Sequence, residues 1–129
     1  MNICIETTYY NCSFSLIGIK SNANGDFECT LNFNAGWLSC SRPFTCSRNN
    51  VKKFSKNIRK LNKPFGVVAV LENINGNMKV EMECIAPDTI MVTANGYDNS
   101  EFEQEARLGF NIKKSELQEF AGKIDALLV

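Results

Sequence analysis

Histidine is absent from this chain of 129 residues. Its absence excludes the commonest general base, the commonest metal ligand, and every Ser-His or Cys-His nucleophile pair. The glycines stand singly at turns and strands, so a phosphate-binding loop is not predicted. No stretch of about 18 apolar residues occurs, and a transmembrane helix is therefore not predicted. These absences argue against histidine-dependent enzymes, phosphate-loop proteins and proteins with a transmembrane helix.

The sequence also lacks grouped metal ligands, although it contains six cysteines. No Cys-x-x-Cys pair occurs, and structural zinc sites use such pairs. Four of the six cysteines occupy apolar positions of strand patterns, where a free cysteine behaves as a small buried hydrophobe. Cys40 and Cys46 have no base partner, so inert packing is favoured over a reactive thiol. We predict no metal, no cofactor and no catalytic residue.

The rest of the composition is that of one ordinary globular domain. Hydrophobic residues make up 44% of the chain and charged residues 22%, which is close to the usual globular mixture. A single domain over residues 1–129 is therefore predicted. The amino-terminal sequence has no basic segment followed by an apolar run, so we expect a cytoplasmic protein rather than an exported one.

Charge is divided along the chain, although the net charge is zero. Residues 47–64 hold seven basic and no acidic side chains, whereas residues 65–112 hold eight acidic and two basic ones, a net charge of −6. The basic segment could bind phosphates. A solvated helix face is favoured instead, because the acidic segment would repel the same nucleic acid. No nucleic-acid partner is predicted.

The apolar side chains of the first half change from odd to even positions near residue 35. Apolar side chains occupy odd positions in residues 27–33 and even positions in residues 38–46. A strand cannot exchange its faces unless a residue is added or a turn intervenes. We therefore predict a bent strand with a β-bulge or tight turn at Ala35-Gly36. Pro43 lacks an amide hydrogen, which favours an edge position there.

The remaining patterns predict two helices and a meander of strands. Ser47 is the predicted cap of an amphipathic helix, and Ser115 and Gln118 form the predicted capping box of a second helix. Strands are predicted over residues 66–73, 78–86, 89–97 and 102–112, the first of them buried on both faces. The predicted fold class is α+β, with one curved antiparallel sheet of about six strands, a bulge near Ala35-Gly36, and two α-helices packed on one face.

The uncovered face of this sheet is the predicted partner-binding surface. Trp37 lies off the apolar series, and Arg42 interrupts it. Glutamates alternate along the later strands as solvent-facing residues do, and a solvated face is favoured over a catalytic pair of carboxylates. The predicted partner-binding residues are Trp37, Arg42, Glu81, Glu83, Glu101, Glu103 and Glu105.

The run FECTLNFNAGWLSCSRPFTCSRNNVKKFSKNIRKL, the strand meander after it and the closing KKSELQEFAGKIDALL resemble bacterial proteins of the WapI-type immunity family. The likeness covers roughly residues 12–128 and is one of element order and patterning. The resemblance implies a non-catalytic protein that binds and neutralises a cognate toxin domain of a polymorphic toxin system.

Two other classes remain open at this stage. A small-molecule-binding α+β module would need a cavity with converging polar groups near Cys40, Arg42 and Cys46, whereas packed apolar side chains there would favour the interaction protein. The third class is a homodimeric interaction domain, joined through the strand near Pro43 or through the open sheet face.

Overall fold

A computed structural model of the chain describes residues 1–7, 11–98 and 104–129. It contains two four-stranded antiparallel sheets. Sheet A has the order β1 (Ile3–Glu6), β2 (Ser13–Ser21), β3 (Phe27–Ala35) and β4 (Leu38–Cys46). Sheet B has the order β5 (Val68–Glu72), β6 (Met78–Ala86), β7 (Thr89–Asp98) and β8 (Gln104–Lys113). Helix α1 (Arg48–Ile58) connects the sheets, and α2 (Lys114–Leu127) follows sheet B.

The α+β class and the antiparallel meander are confirmed, but the single sheet of about six strands is wrong. The chain forms two sheets because β4 and β5 are not joined by a strand ladder. They meet where Thr45 N donates to Asn73 Oδ1 at 2.9 Å and Ile74 N donates to Thr45 O at 2.7 Å. Strand β1 was not predicted, because its alternation extends over only four residues.

Of the two alternatives predicted at Ala35-Gly36, the tight turn is confirmed, and the bulge within one bent strand is wrong. Ala35 pairs with Leu38, so Gly36 and Trp37 form a two-residue loop between β3 and β4. Gly36 has φ 74, which the first central residue of a type II′ turn requires and which glycine adopts without a Cβ clash. The parity changes because the chain reverses direction. The predicted edge position of Pro43 is confirmed, since β4 is the last strand of sheet A.

One apolar core joins both sheets and both helices. Five phenylalanine rings run through it in sequence of contact. The ring centroids of Phe54 in α1 and Phe120 in α2 are 6.2 Å apart, and those of Phe120 and Phe14 are 5.7 Å apart. The centroids of Phe14 and Phe33 are 6.1 Å apart, and those of Phe33 and Phe110 of sheet B are 5.2 Å apart. Burying each ring stabilises the fold by roughly 2 to 3 kcal/mol, so this row of rings fixes the two sheets to the two helices.

The two helices differ in how well the sequence predicted their starts. Ser47 caps α1 as predicted, because its Oγ accepts from Asn50 N at 3.1 Å. The Ser115 capping box is wrong, since the cap of α2 is Lys113, two residues before Ser115, and Glu116 Oε1 accepts from Lys113 N at 3.0 Å. Neither helix of the described residues has the length and apolarity needed to cross a membrane.

Strand β5 lies at the edge of sheet B, where α1 covers it. The side chain of Asn50 acts like a strand partner: its Nδ2 donates to Val70 O at 3.0 Å, and its Oδ1 accepts from Glu72 N at 2.8 Å. The prediction that this strand is buried on both faces is wrong, because Val68 is 36% exposed on the outer face. A run of apolar residues does not distinguish a covered edge from a central strand.

Candidate protein-binding surfaces

An exposed tryptophan lies at the turn between β3 and β4. Trp37 is 91% exposed, and Leu38, the first residue of β4, is 43% exposed. We call residues 37–42 the hairpin patch. Tryptophan is enriched among the residues that contribute most of the free energy of protein–protein binding. This patch therefore has the composition of an interface anchor.

Arg42 lies on the core side of sheet A but outside the core. The register pairs it with Leu31, which is fully buried, so both side chains project from the same face. Arg42 is nonetheless exposed, because β4 is the edge strand of sheet A and the cover that buries Leu31 and Phe33 on β3 does not extend over this residue. Its side chain reaches solvent, as the break in the apolar series predicted.

Cys40 belongs to the same patch and is half-buried. Burial raises the pKa of its thiol, and the positive charge of Arg42 lowers that pKa by a smaller amount. The net shift is upward, so the thiol is protonated at neutral pH. A protonated thiol is a poor nucleophile and a poor metal ligand, which agrees with the predicted packing role.

The two thiols deeper in sheet A are still less reactive. Burial raises the pKa of Cys46 to about 12, with smaller contributions from Cys29 and Asp26. Burial also raises the pKa of Cys29 to about 11. A void of only about 10 Å³ lies beside them, with an apolar lining of Leu16, Ile19, Phe27, Cys29, Cys46, Val51, Leu71, Ile124 and Leu127. That volume is at the lower limit for one water molecule.

The outer face of sheet B points away from the core and carries the candidate residues Glu81, Glu83 and Glu105. The register places Glu81 opposite Val70 and Glu83 opposite Val68. Both carboxylate side chains are partly buried. Glu81 Oε1 lies 2.9 Å from Lys79 Nζ on the same strand. The charge of Glu81 is therefore already paired, whereas that of Glu83 is free of any ion pair with the described residues.

The same face is mixed in charge rather than uniformly acidic. Glu105 is exposed on β8 opposite Tyr97, which is 44% exposed. Glu101 and Glu103 lie outside the described residues. By register, the charged side chains described on this face are Glu72, Lys79, Glu81, Glu83, Glu105, Arg107 and Lys113. The four acids among them are accompanied by three bases.

A shallow depression of about 410 Å³ lies on this outer face. It forms where Gly109 pairs with Thr93, because neither residue fills the surface between Met91 and Arg107. A Cβ atom at position 109 would come within 3.3 Å of Val92 O. The depression is open and wide enough to receive a protruding side chain of a partner protein.

Phe65 is a surface feature that the sequence patterns did not reveal. It has φ 57 and is 75% exposed, while its backbone N donates to Cys84 O at 2.8 Å. A positive φ costs a bulky L-residue about 1 to 2 kcal/mol, and strained residues are enriched at binding sites. The signal in the sequence is Pro64-Phe65-Gly66, an aromatic residue between two turn formers.

Helix α1 and the turn after it expose five basic side chains to solvent, namely Lys52, Lys53 and Lys56 on the helix and Arg59 and Lys60 after it. Arg59 forms an ion pair with Asp125 of α2. Val51, Phe54 and Ile58 face the core, so the lysines occupy the side of the helix that packing leaves free. This is the arrangement of a solvated amphipathic helix.

The candidate residues do not share one sheet face, which corrects the sequence prediction. Trp37 and Arg42 belong to sheet A, whereas Glu81, Glu83 and Glu105 belong to sheet B. Among the described residues, no three histidine, cysteine or acidic side chains lie together as a metal site requires. No protein-family model, curated protein or solved structure matches this chain.

Proposed function

We propose that this protein is a non-catalytic immunity-type protein of the bacterial cytoplasm that binds a cognate toxin domain and neutralises it. The exposure of Trp37 carries the proposal: at 91%, its indole contributes almost nothing to the core. A large exposed aromatic side chain suits an anchor that becomes buried in a partner. The family resemblance of residues 12–128 gives that partner its class.

The chemistry around the cysteines supports an interaction protein over a small-molecule module. The apolar void beside Cys46 is about 10 Å³, whereas ligand pockets occupy roughly 300 to 1,000 Å³ and contain converging polar groups. The raised pKa values of Cys29 and Cys46 keep both thiols protonated at neutral pH. Packing, rather than ligand binding, accounts for this region.

The mode of inhibition follows from two separate surfaces. Trp37 at the hairpin end would fill a pocket of the toxin, and the outer face of sheet B would meet basic groups through Glu83 and Glu105. Where the toxin is a basic nuclease, these carboxylates would speed the encounter and occupy groups that bind phosphates. Neutralisation then requires only that the toxin surface is covered.

The test uses the carboxy-terminal domain of the protein encoded immediately upstream as the toxin. Co-expression of this chain should restore the growth of cells that produce that domain. Trp37→Ala should weaken the complex by about 2 kcal/mol or more, measured by calorimetry. Ile74→Ala is the matched control, because Ile74 is also an exposed apolar turn residue, at 62%. Failure of the wild-type chain to bind, or equal affinity of both variants, contradicts the proposal.

Electrostatic steering is tested by charge reversal. Glu83→Lys with Glu105→Lys should slow association with the same toxin domain and weaken its dependence on salt. Glu119→Lys adds the same kind of charge on α2, on the other side of the core, and should change the association rate less. Equal rates for all three proteins would remove the outer face of sheet B from the mechanism.

A further inference from the structure

One edge of β4 is open for main-chain pairing. Thr45 shows which way the backbone groups point, because its N donates to Asn73 Oδ1 and its O accepts from Ile74 N, both away from β3. In an antiparallel strand, alternate residues direct these groups to the same side. Ser39 and Ser41 therefore direct their N–H and C=O groups to the side on which the described residues supply no strand.

We propose that two copies of this chain form a two-fold symmetric dimer by pairing their β4 strands antiparallel, centred on Cys40. In this register, Ser39 of one copy meets Ser41 of the other, and the reverse pair forms across the axis. Each of these pairs exchanges both of its main-chain hydrogen bonds. This dimer does not depend on the proposed toxin binding.

A second copy fits this edge because the segment is complementary to itself. In a two-fold interface, residue i meets residue j and j meets i, so the small polar side chains of Ser39 and Ser41 face each other on both sides of Cys40. Leu38 of one copy lies opposite Arg42 of the other, so two guanidinium groups do not oppose each other. The aliphatic part of Arg42 can then cover Leu38, which is 43% exposed.

The geometry of β4 limits pairing through this edge to two copies. Pro43 has no N–H to offer, and the N and O of Thr45 are already bonded. Pairing therefore ends at Arg42 on one side and at the turn before Leu38 on the other. Because each copy uses its open edge on the other, no edge of β4 remains for further strands.

A disulfide between the Cys40 residues of the two copies would test this register. Cys40 lies on the two-fold axis in a non-hydrogen-bonded pair, where opposite Cα atoms are about 4.5 Å apart. A disulfide spans Cα distances of roughly 4.4 to 6.8 Å. Added diamide would take up the two thiol hydrogens as the S–S bond forms between the copies. The cross-link serves only as a probe of the pairing.

The first experiment compares Ser41→Pro with Ser41→Ala in the full-length chain by sedimentation velocity. Both variants lose the 2.6 Å bond from Ser41 Oγ to Asn32 Oδ1, but only proline removes the N–H on the open edge. The wild type and Ser41→Ala should dimerise, and Ser41→Pro should raise the dimer dissociation constant by about tenfold or more. Circular dichroism checks the fold, and Ser39→Pro with Ser39→Ala repeats the comparison if Ser41→Pro unfolds.

The second experiment treats the protein with diamide and separates it on a non-reducing gel. The wild type and Cys29→Ser should give a cross-linked dimer, and Cys40→Ser should not. A monomeric wild type, equal dimerisation of the proline and alanine variants, or cross-linking that survives Cys40→Ser would overturn the proposal. A monomeric wild type whose capture of the toxin domain is lost in Ser41→Pro would assign the edge to the toxin and overturn the dimer as well.

Discussion

Strands β4 and β5 are both edge strands, yet they differ in how much of the free edge is hydrogen-bonded. The edge of β5 is covered by the amide of Asn50, which bonds Val70 O and Glu72 N. The edge of β4 is bonded only at Thr45, and Ser39 and Ser41 remain open. An edge strand that is covered by a side chain contributes to the fold, whereas an open one is available for association.

The largest loss of stability is expected at Asn73, where the chain after β5 is hydrogen-bonded to the edge of β4. Asn73 is 8% exposed, accepts from Thr45 N, and donates to Asn75 Oδ1 and Asn77 Oδ1. Asn73→Ala leaves the amide of Thr45 without its acceptor and releases the β5–β6 turn. The free energy of unfolding in urea should fall by about 3 kcal/mol. A loss no larger than that of Asn49→Ala, an exposed neighbour, would show that the junction is not structural.

Removing the side chain that covers the edge of β5 should lower the free energy of unfolding by a smaller amount. Asn50→Ala removes the bonds to Val70 O and Glu72 N but keeps the main-chain bond to Ser47 Oγ. Part of the lost bonding is replaced by water at this edge, so we expect about 2 kcal/mol of destabilisation in urea. Asn49→Ala should stay within about 0.5 kcal/mol of the wild type. Equal stability of the two variants would mean that α1 covers β5 without help from the amide.

The thiols in the packed and open halves of β4 should also differ in how they affect stability at alkaline pH. The pKa of Cys46 is raised to about 12 in the folded protein, whereas an unfolded thiol titrates near 8.5. The unfolded chain therefore loses this proton first, and stability falls as the pH rises from about 9 toward 12. Cys46→Ala should flatten that decline relative to Cys40→Ala. Unfolding free energies measured at several alkaline pH values would contradict this if both variants decline alike.

The smallest effect on stability is expected at the open end of β4. Trp37→Ala removes the largest side chain of the hairpin patch, but the indole is 91% exposed. The free energy of unfolding should change by less than about 0.5 kcal/mol. A thermal melt that shifts as strongly as that of Asn50→Ala would show that Trp37 packs against the fold.

Local patterns predicted the elements of this fold well, because their causes are local. The cap at Ser47, the alternation in residues 27–33 and the strand over residues 78–86 depend on residues a few positions apart. The division into two sheets was not predicted, because it depends on contacts such as that of Asn73 with Thr45. The exposure of Phe65 was missed for a similar reason, since apolar patterns indicate burial and not its absence.

The sequence by itself determined the α+β class, the inward face of strands with clear alternation such as β3 and β6, and the absence of imidazole chemistry, because side-chain period and residue type are local properties. Only the tertiary structure decided which edges are covered and which residues of an inward face remain exposed. Arg42 and Leu31 share a face, yet one is exposed and the other is buried. The physical reason is that burial requires a second element to cover the face, and that element comes from a distant part of the chain.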